Sequence, residues 1–175
     1  LCHSDVKVTF PDADAHHPAF SPDGRWLAYG GKRIVIRELP SQAVVKTIPI
    51  AATTPAFSPD GKLLATGPRL HHSVPGRESG HDPHVTLWST ESWEEKHRLP
   101  DAHYPAVFSP DGQWLVTGAV GGYKVWSTRT WQRERFCPGE PFLSQQSRHG
   151  VAFSPDGRLL VTAGHQGGLQ AGQFQ

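Results

Sequence analysis

Six residues in one short stretch have side chains able to hold a metal ion: His71, His72, Glu78, His81, Asp82 and His84. Clustered imidazole and carboxylate groups are what zinc sites are built from. The spacing matches none of the recurrent zinc patterns, however. The surrounding insertion, 67–84, is rich in Gly, Pro and Ser, a composition that marks a loop. The expectation is a variable surface loop with no metal and no cofactor.

Catalytic signatures are missing as well. The chain contains no Gly-X-Ser-X-Gly, no His-Glu-X-X-His and no Gly-X-X-X-X-Gly-Lys, so no activated serine, metalloprotease centre or phosphate cradle is announced. Cys2 and Cys137 are the only cysteines and share no ligand spacing. Two free thiols of a reducing compartment fit them better than a bridge. The expectation is a protein that is not an enzyme.

What positions these side chains is a phrase that occurs four times. Phe-Ser-Pro-Asp-Gly runs from Phe20 to Gly24, Phe57 to Gly61, Phe108 to Gly112 and Phe153 to Gly157, at intervals of 37, 51 and 45 residues. Such a period belongs to stacked repeats or propeller blades. Proline presets the second turn position, aspartate bonds to nearby backbone, and glycine takes the left-handed conformation of a bulged three-residue hairpin. Each turn is followed by an apolar run, Trp26–Gly30 being the first, as expected of a strand buried on both faces.

A second phrase recurs in the middle of the chain. Val85-Thr86-Leu87-Trp88-Ser89-Thr90-Glu91-Ser92-Trp93 parallels Tyr123-Lys124-Val125-Trp126-Ser127-Thr128-Arg129-Thr130-Trp131. A polar-apolar strand follows each. The unit is therefore strand, Ser-Pro-Asp-Gly turn, strand, variable loop, strand, turn, strand, with no helical period. That is a propeller blade. The fold class expected is all-β: a β-propeller of four-stranded antiparallel blades, about four of them. Units fall near 11–49, 50–99, 100–137 and 145–175, with 5–10 as the outer strand of a neighbouring blade. The last blade is incomplete or is closed by that N-terminal strand.

These two motifs resemble the WD-repeat β-propeller family, particularly its bacterial members rich in Phe-Ser-Pro-Asp-Gly turns, over roughly residues 5–170. The chain departs from the family in several places. The naming Trp-Asp pair is Trp88-Ser89 and Trp126-Ser127, with Ile36-Arg37 in blade one, and the usual Gly-His is Ala15-His16 and Ala102-His103. The resemblance implies a buried hydrogen-bonded chain through His103, Thr117 and Trp126, without the family's aspartate. It also implies a usual ring of about seven blades. Leu1 in place of a start methionine, the absence of any Met and the abrupt Gln175 point to an excerpt of a longer ring.

Seventeen basic against sixteen acidic residues leave no basic face for nucleic acid. No run of eighteen apolar residues or signal peptide marks the chain for a membrane, and a cytoplasmic placement is expected. Function then falls to the surface. In the family, loops joining strands two and three share a rim with the blade-to-blade connections, and rigidly mounted loops are where binding resides. On that rim stand Arg69, His71, His72, Arg77, His81, His84, His103, Tyr104, Arg148 and His149, together with His16 and His17. Phe20, Gly24, Phe57, Gly61, Phe108, Gly112, Phe153, Gly157, Trp88 and Trp126 are structural. The expected function is a non-catalytic protein–protein interaction scaffold, a docking or sensory segment of a larger multidomain protein. The alternative is a propeller enzyme or small-ligand binder at the central channel. Its positions would be His17-Pro18, Thr54-Pro55, Tyr104-Pro105 and His149-Gly150.

Overall fold

In the computed structural model the four Ser-Pro-Asp-Gly segments have one geometry. The glycine N–H donates to the serine carbonyl at 2.9 Å in each, and Gly24, Gly61, Gly112 and Gly157 take φ of 71° to 72°. The loop is longer than the three-residue hairpin expected. Ser21 N–H donates to the Trp26 carbonyl at 2.9 Å, which leaves Pro22, Asp23, Gly24 and Arg25 between the paired residues. The reason is the serine side chain. Ser21 Oγ accepts from Trp26 N at 2.8 Å and donates to Asp23 Oδ1, which accepts from Arg25 N at 3.0 Å. A hydroxyl thus replaces a carbonyl in closing the hairpin. The same hydroxyl-to-carboxylate link recurs at Ser58–Asp60, Ser109–Asp111 and Ser154–Asp156.

The structure describes residues 15–50, 54–68, 83–138, 150–163 and 169–173; among them there is no helix, and the expected strand at 5–10 lies outside them. Blade one consists of β1 (His16–Phe20), β2 (Trp26–Gly30), β3 (Ile34–Glu38) and β4 (Val44–Ile48). Blade two holds β5 (Ala56–Phe57), β6 (Leu63–Thr66), β7 (His84–Ser89) and β8 (Glu95–Pro100). Blade three holds β9 (His103–Phe108), β10 (Trp114–Ala119), β11 (Gly122–Ser127) and β12 (Arg133–Pro138). Blade four has β13 (Val151–Phe153), β14 (Leu159–Ala163) and β15 (Leu169–Gln173). Each sheet is antiparallel and ordered as the chain runs, four strands in three blades and three in the last. The fold is all-β, of propeller blades, as expected.

The innermost strands β1, β5, β9 and β13 neighbour one another in chain order. Three apolar clusters each join two successive blades. Trp26, Ala28, Ile34, Ile36 and Ile48 of blade one meet Leu64, Phe57 and Trp88 of blade two. Val85, Leu87 and Leu99 meet Phe108, Leu115 and Trp126 of blade three, and Val116, Tyr123 and Val125 meet Leu160 and Phe153 of blade four. The turns nest too. A Cβ on Gly61 would lie 3.7 Å from Pro22 Cδ, one on Gly112 3.9 Å from Pro59, and one on Gly157 3.8 Å from Pro110. Each turn therefore seats its glycine against the proline of the turn before.

Register shows what the tryptophan motif does. Leu64 pairs with Trp88 and Leu115 with Trp126, whereas Leu27 pairs with Arg37. Blade one's counterpart of Trp-Ser is therefore Arg37-Glu38, one residue later than the expected Ile36-Arg37. The indole N–H of Trp88 donates to Thr66 Oγ1, and that of Trp126 to Thr117 Oγ1, both at 2.9 Å. In blade one Arg37 Nε donates to Tyr29 Oη at 2.8 Å. One N–H-to-hydroxyl link between strands two and three is kept while both partners change. The following threonine ties the two turns of a blade together: Thr90 Oγ1 donates to the Gly61 carbonyl at 2.7 Å and Thr128 Oγ1 to that of Gly112 at 2.6 Å.

Candidate functional site

Antiparallel order puts the Ser-Pro-Asp-Gly turns at one end of the blades and the blade connections at the other. At the connection end, blade two's insertion is mounted on blade three. Tyr104 N donates to the Pro68 carbonyl at 3.0 Å and Ala102 N to the Pro83 carbonyl at 3.3 Å. Both stems of the 69–82 segment are thus clamped to the entry of β9. Close approach of two backbones demands a small residue there. A Cβ on Gly118 would lie 2.6 Å from the Tyr104 carbonyl oxygen, which explains the glycine near the end of β10.

Around the clamp stand Asp101, His103, Tyr104 and Lys124. Lys124 is buried within β11, where its ammonium donates to the Pro100 carbonyl at 3.1 Å and lies 3.6 Å from Asp101 Oδ2. It also sits 5.7 Å from the centre of the Trp126 ring, within cation–π reach. His103 pairs with Gly118 in the sheet and is only 2% exposed. Its burial, and then the nearby Lys124 charge, push the imidazole down to about 4, with Asp101 acting the other way. The ring is neutral at physiological pH. Burial, then Tyr104, pushes the Tyr123 phenol up.

The expected rim residues fare differently. Tyr104 is half-buried at the clamp, and its ring centre lies 6.2 Å from that of His17, which is exposed. This brings together two of the proposed channel positions, from blades one and three. Half-buried His84 opens β7 opposite Pro100. His103, expected both on the rim and in a buried chain with Thr117 and Trp126, is almost wholly buried at the start of β9. Arg69, His71, His72, Arg77, His81, Arg148 and His149 lie outside the described residues, as do Glu78 and Asp82. Among the described residues no group of three His, Cys, Asp or Glu side chains is placed to hold a metal. Lys124 and Asp101 were not singled out from the sequence. A lone lysine in the otherwise apolar run Tyr123-Lys124-Val125-Trp126 was the available signal.

Comparison with known proteins gives two positive findings. A family model described as WD40 (WD domain, G-beta repeat) matches residues 145–170. A solved chain described as Kuenenia stuttgartiensis Hydrazine Synthase is similar, with a TM-score of 0.67 and 20% identity over 93% of this chain and 44% of that one. This chain spans less than half of that relative, and at such identity the likeness concerns the fold. A search of curated proteins found no match. The repeat match and the structural likeness together support a WD-repeat β-propeller.

Proposed function

We propose that this arc of WD-type blades is a non-catalytic scaffold that docks a protein partner through its connection rim. The observation that carries the reading is the double clamp on Pro68 and Pro83, which ties both stems of the long insertion to a neighbouring blade. Repeats of the matched type generally mediate protein–protein contact, and loops on a fixed scaffold are the usual place for it. A free Cys137 thiol accords with work in a reducing compartment such as the cytoplasm.

The test replaces 69–82 with a two-residue turn between the same stems. The shortened chain should melt as the native chain does and lose the partners that the native chain retains. If the same partners bind both forms, the segment is not the contact. A second reading, a small-ligand or catalytic site at the channel mouth, is favoured by the approach of His17 to Tyr104. The relative named for hydrazine synthesis lends it only a fold. His17→Ala with Tyr104→Phe should abolish binding of a small ligand under the second reading, while the replacement of 69–82 decides the first.

A further inference from the structure

The outer strands of blades two and three fill the same pair of positions with different chemistry. In blade two, Glu95 pairs across the sheet with Trp88 and Arg98 with Thr86. In blade three, Arg133 pairs with Trp126 and Phe136 with Lys124. Trp88 and Trp126, and likewise Thr86 and Lys124, are matching places in the repeated phrase. Arg133 therefore stands where Glu95 does, and Phe136 where Arg98 does. Blade two satisfies its own pair: Arg98 Nη2 and Nε donate to the Glu95 carboxylate at 2.9 and 3.1 Å. Blade three does not. Arg133 is exposed and, among the described residues, meets no carboxylate, while Phe136 is 41% exposed. Both lie on the side towards blade two, since cross-strand partners share a face and Trp126 packs there with Leu87 and Leu99.

The strand that carries them is held in place. Blade three packs against a blade on each side. Trp131, in the turn leading into β12, stacks on His97 of β8 with ring centres 4.9 Å apart and planes at 30°. Among the described residues β12 ends its sheet, so its outer N–H and C=O groups point away from β11. The stretch 129–135 sets Arg129, Arg133 and Arg135 against Glu134 alone, whereas 94–98 balances Glu94 and Glu95 with Lys96 and Arg98. We infer that β12 accepts an extended acidic segment of a protein partner as a fifth strand of blade three. Strand addition draws affinity from the open main-chain edge and specificity from side-chain places along it. Arg133 takes a carboxylate, which its planar guanidinium fits, and Phe136 takes an apolar side chain. Their partners Trp126 and Lys124 are two residues apart, so the incoming strand presents both groups at that spacing on one face. Single-stranded nucleic acid could neutralise the arginines, but it has no alternating N–H and C=O groups to continue a sheet. This surface runs along the perimeter and does not include 69–82.

A randomised peptide library displayed on phage and panned on the native chain should enrich an acidic and an apolar residue two positions apart. Synthetic copies of those peptides should slow amide exchange in β12 when bound. Arg133→Glu with Phe136→Arg writes blade two's ion pair into blade three. Both side chains are exposed, so this variant should melt as the native chain does and bind the peptides about tenfold more weakly or worse. Should it melt early, Arg133→Gln alone decides by the same comparison. Replacing 69–82 with the two-residue turn should leave peptide binding unchanged, which separates this surface from the connection rim. The inference is overturned if no acidic–apolar pattern emerges, if bound peptide leaves exchange in β12 unaltered, or if the variants bind as before. It fails too if oligothymidylate displaces the peptides at comparable concentration, or if loss of 69–82 abolishes their binding.

Discussion

At Gly118 a methyl group has nowhere to go, because the atom it would strike is the Tyr104 carbonyl oxygen and backbone cannot swing aside. Gly118→Ala should cost about 3 kcal/mol, the upper part of the usual overpacking range. Gly121 provides the contrast: its φ is +78° and the space around it is empty, so alanine there should cost only left-handed strain, about 1–2 kcal/mol. Paired thermal melts decide, and equal losses would show that crowding is not the cause. His103 predicts an acid response of definite sign. Its imidazole is held at about 4 in the fold against 6.5 ordinarily, so the unfolded chain takes up the proton first as pH falls. The fold carries no penalty above pH 6.5, weakens between 6.5 and about 4, and has lost about 3 kcal/mol below both values. Urea titrations across that interval should show the decline, and His103→Leu should flatten it.

The Ser-Pro-Asp-Gly hairpin is an element whose behaviour follows from its own hydrogen bonds. Ser58→Ala removes the only hydroxyl that accepts from Leu63 N, at 2.9 Å in a largely buried place, and should cost about 1–2 kcal/mol. Ser154→Ala should cost less, because the equivalent bond to Leu159 N is exposed and water can replace it. Denaturant titration of the two variants gives the order. The Ser21 hydroxyl and the Arg25 N–H hold the Asp23 carboxyl below its usual 3.8, and Ser154 and Arg158 do the same for Asp156. Partial burial raises Asp60, but Ser58 and the Lys62 N–H outweigh it. These ionised carboxylates favour the fold above pH 3.8, and the effect is lost progressively as pH falls from there through their lowered folded values. This acid window is separate from that of His103. The turns were legible in the sequence because every position in them has one physical reason for its residue type. The left-handed glycine was foreseen; the fourth loop residue was not, since nothing in the order of letters says that a serine side chain will stand in for a carbonyl. Blade one was misaligned by one place for a similar reason. An Arg37–Tyr29 link repeats the geometry of Trp–Thr with none of its letters. The clamp on the insertion was invisible, because it joins backbone atoms of different blades.

For the whole molecule, the clusters that straddle junctions imply that neighbouring blades share their stability. Leu64 is fully buried in the cluster between blades one and two. Leu64→Ala should cost about 3 kcal/mol and loosen both blades, so hydrogen exchange should quicken in β2 and β3 as well as in β6 and β7. Quickening confined to blade two would contradict shared stability. The nested turns carry a different consequence. Successive turn prolines are 37, 51 and 45 residues apart in the chain, yet each contact with the next glycine measures 3.7–3.9 Å. The turns act as a ruler that sets the pitch of the array at one end, leaving the far end free to lengthen or shorten. A duplicated repeat would bring its own proline and its own glycine, and would need no retuning of its neighbours. Arrays built on such a ruler can gain or lose whole repeats by simple genetic copying while the spacing of those that remain stays the same.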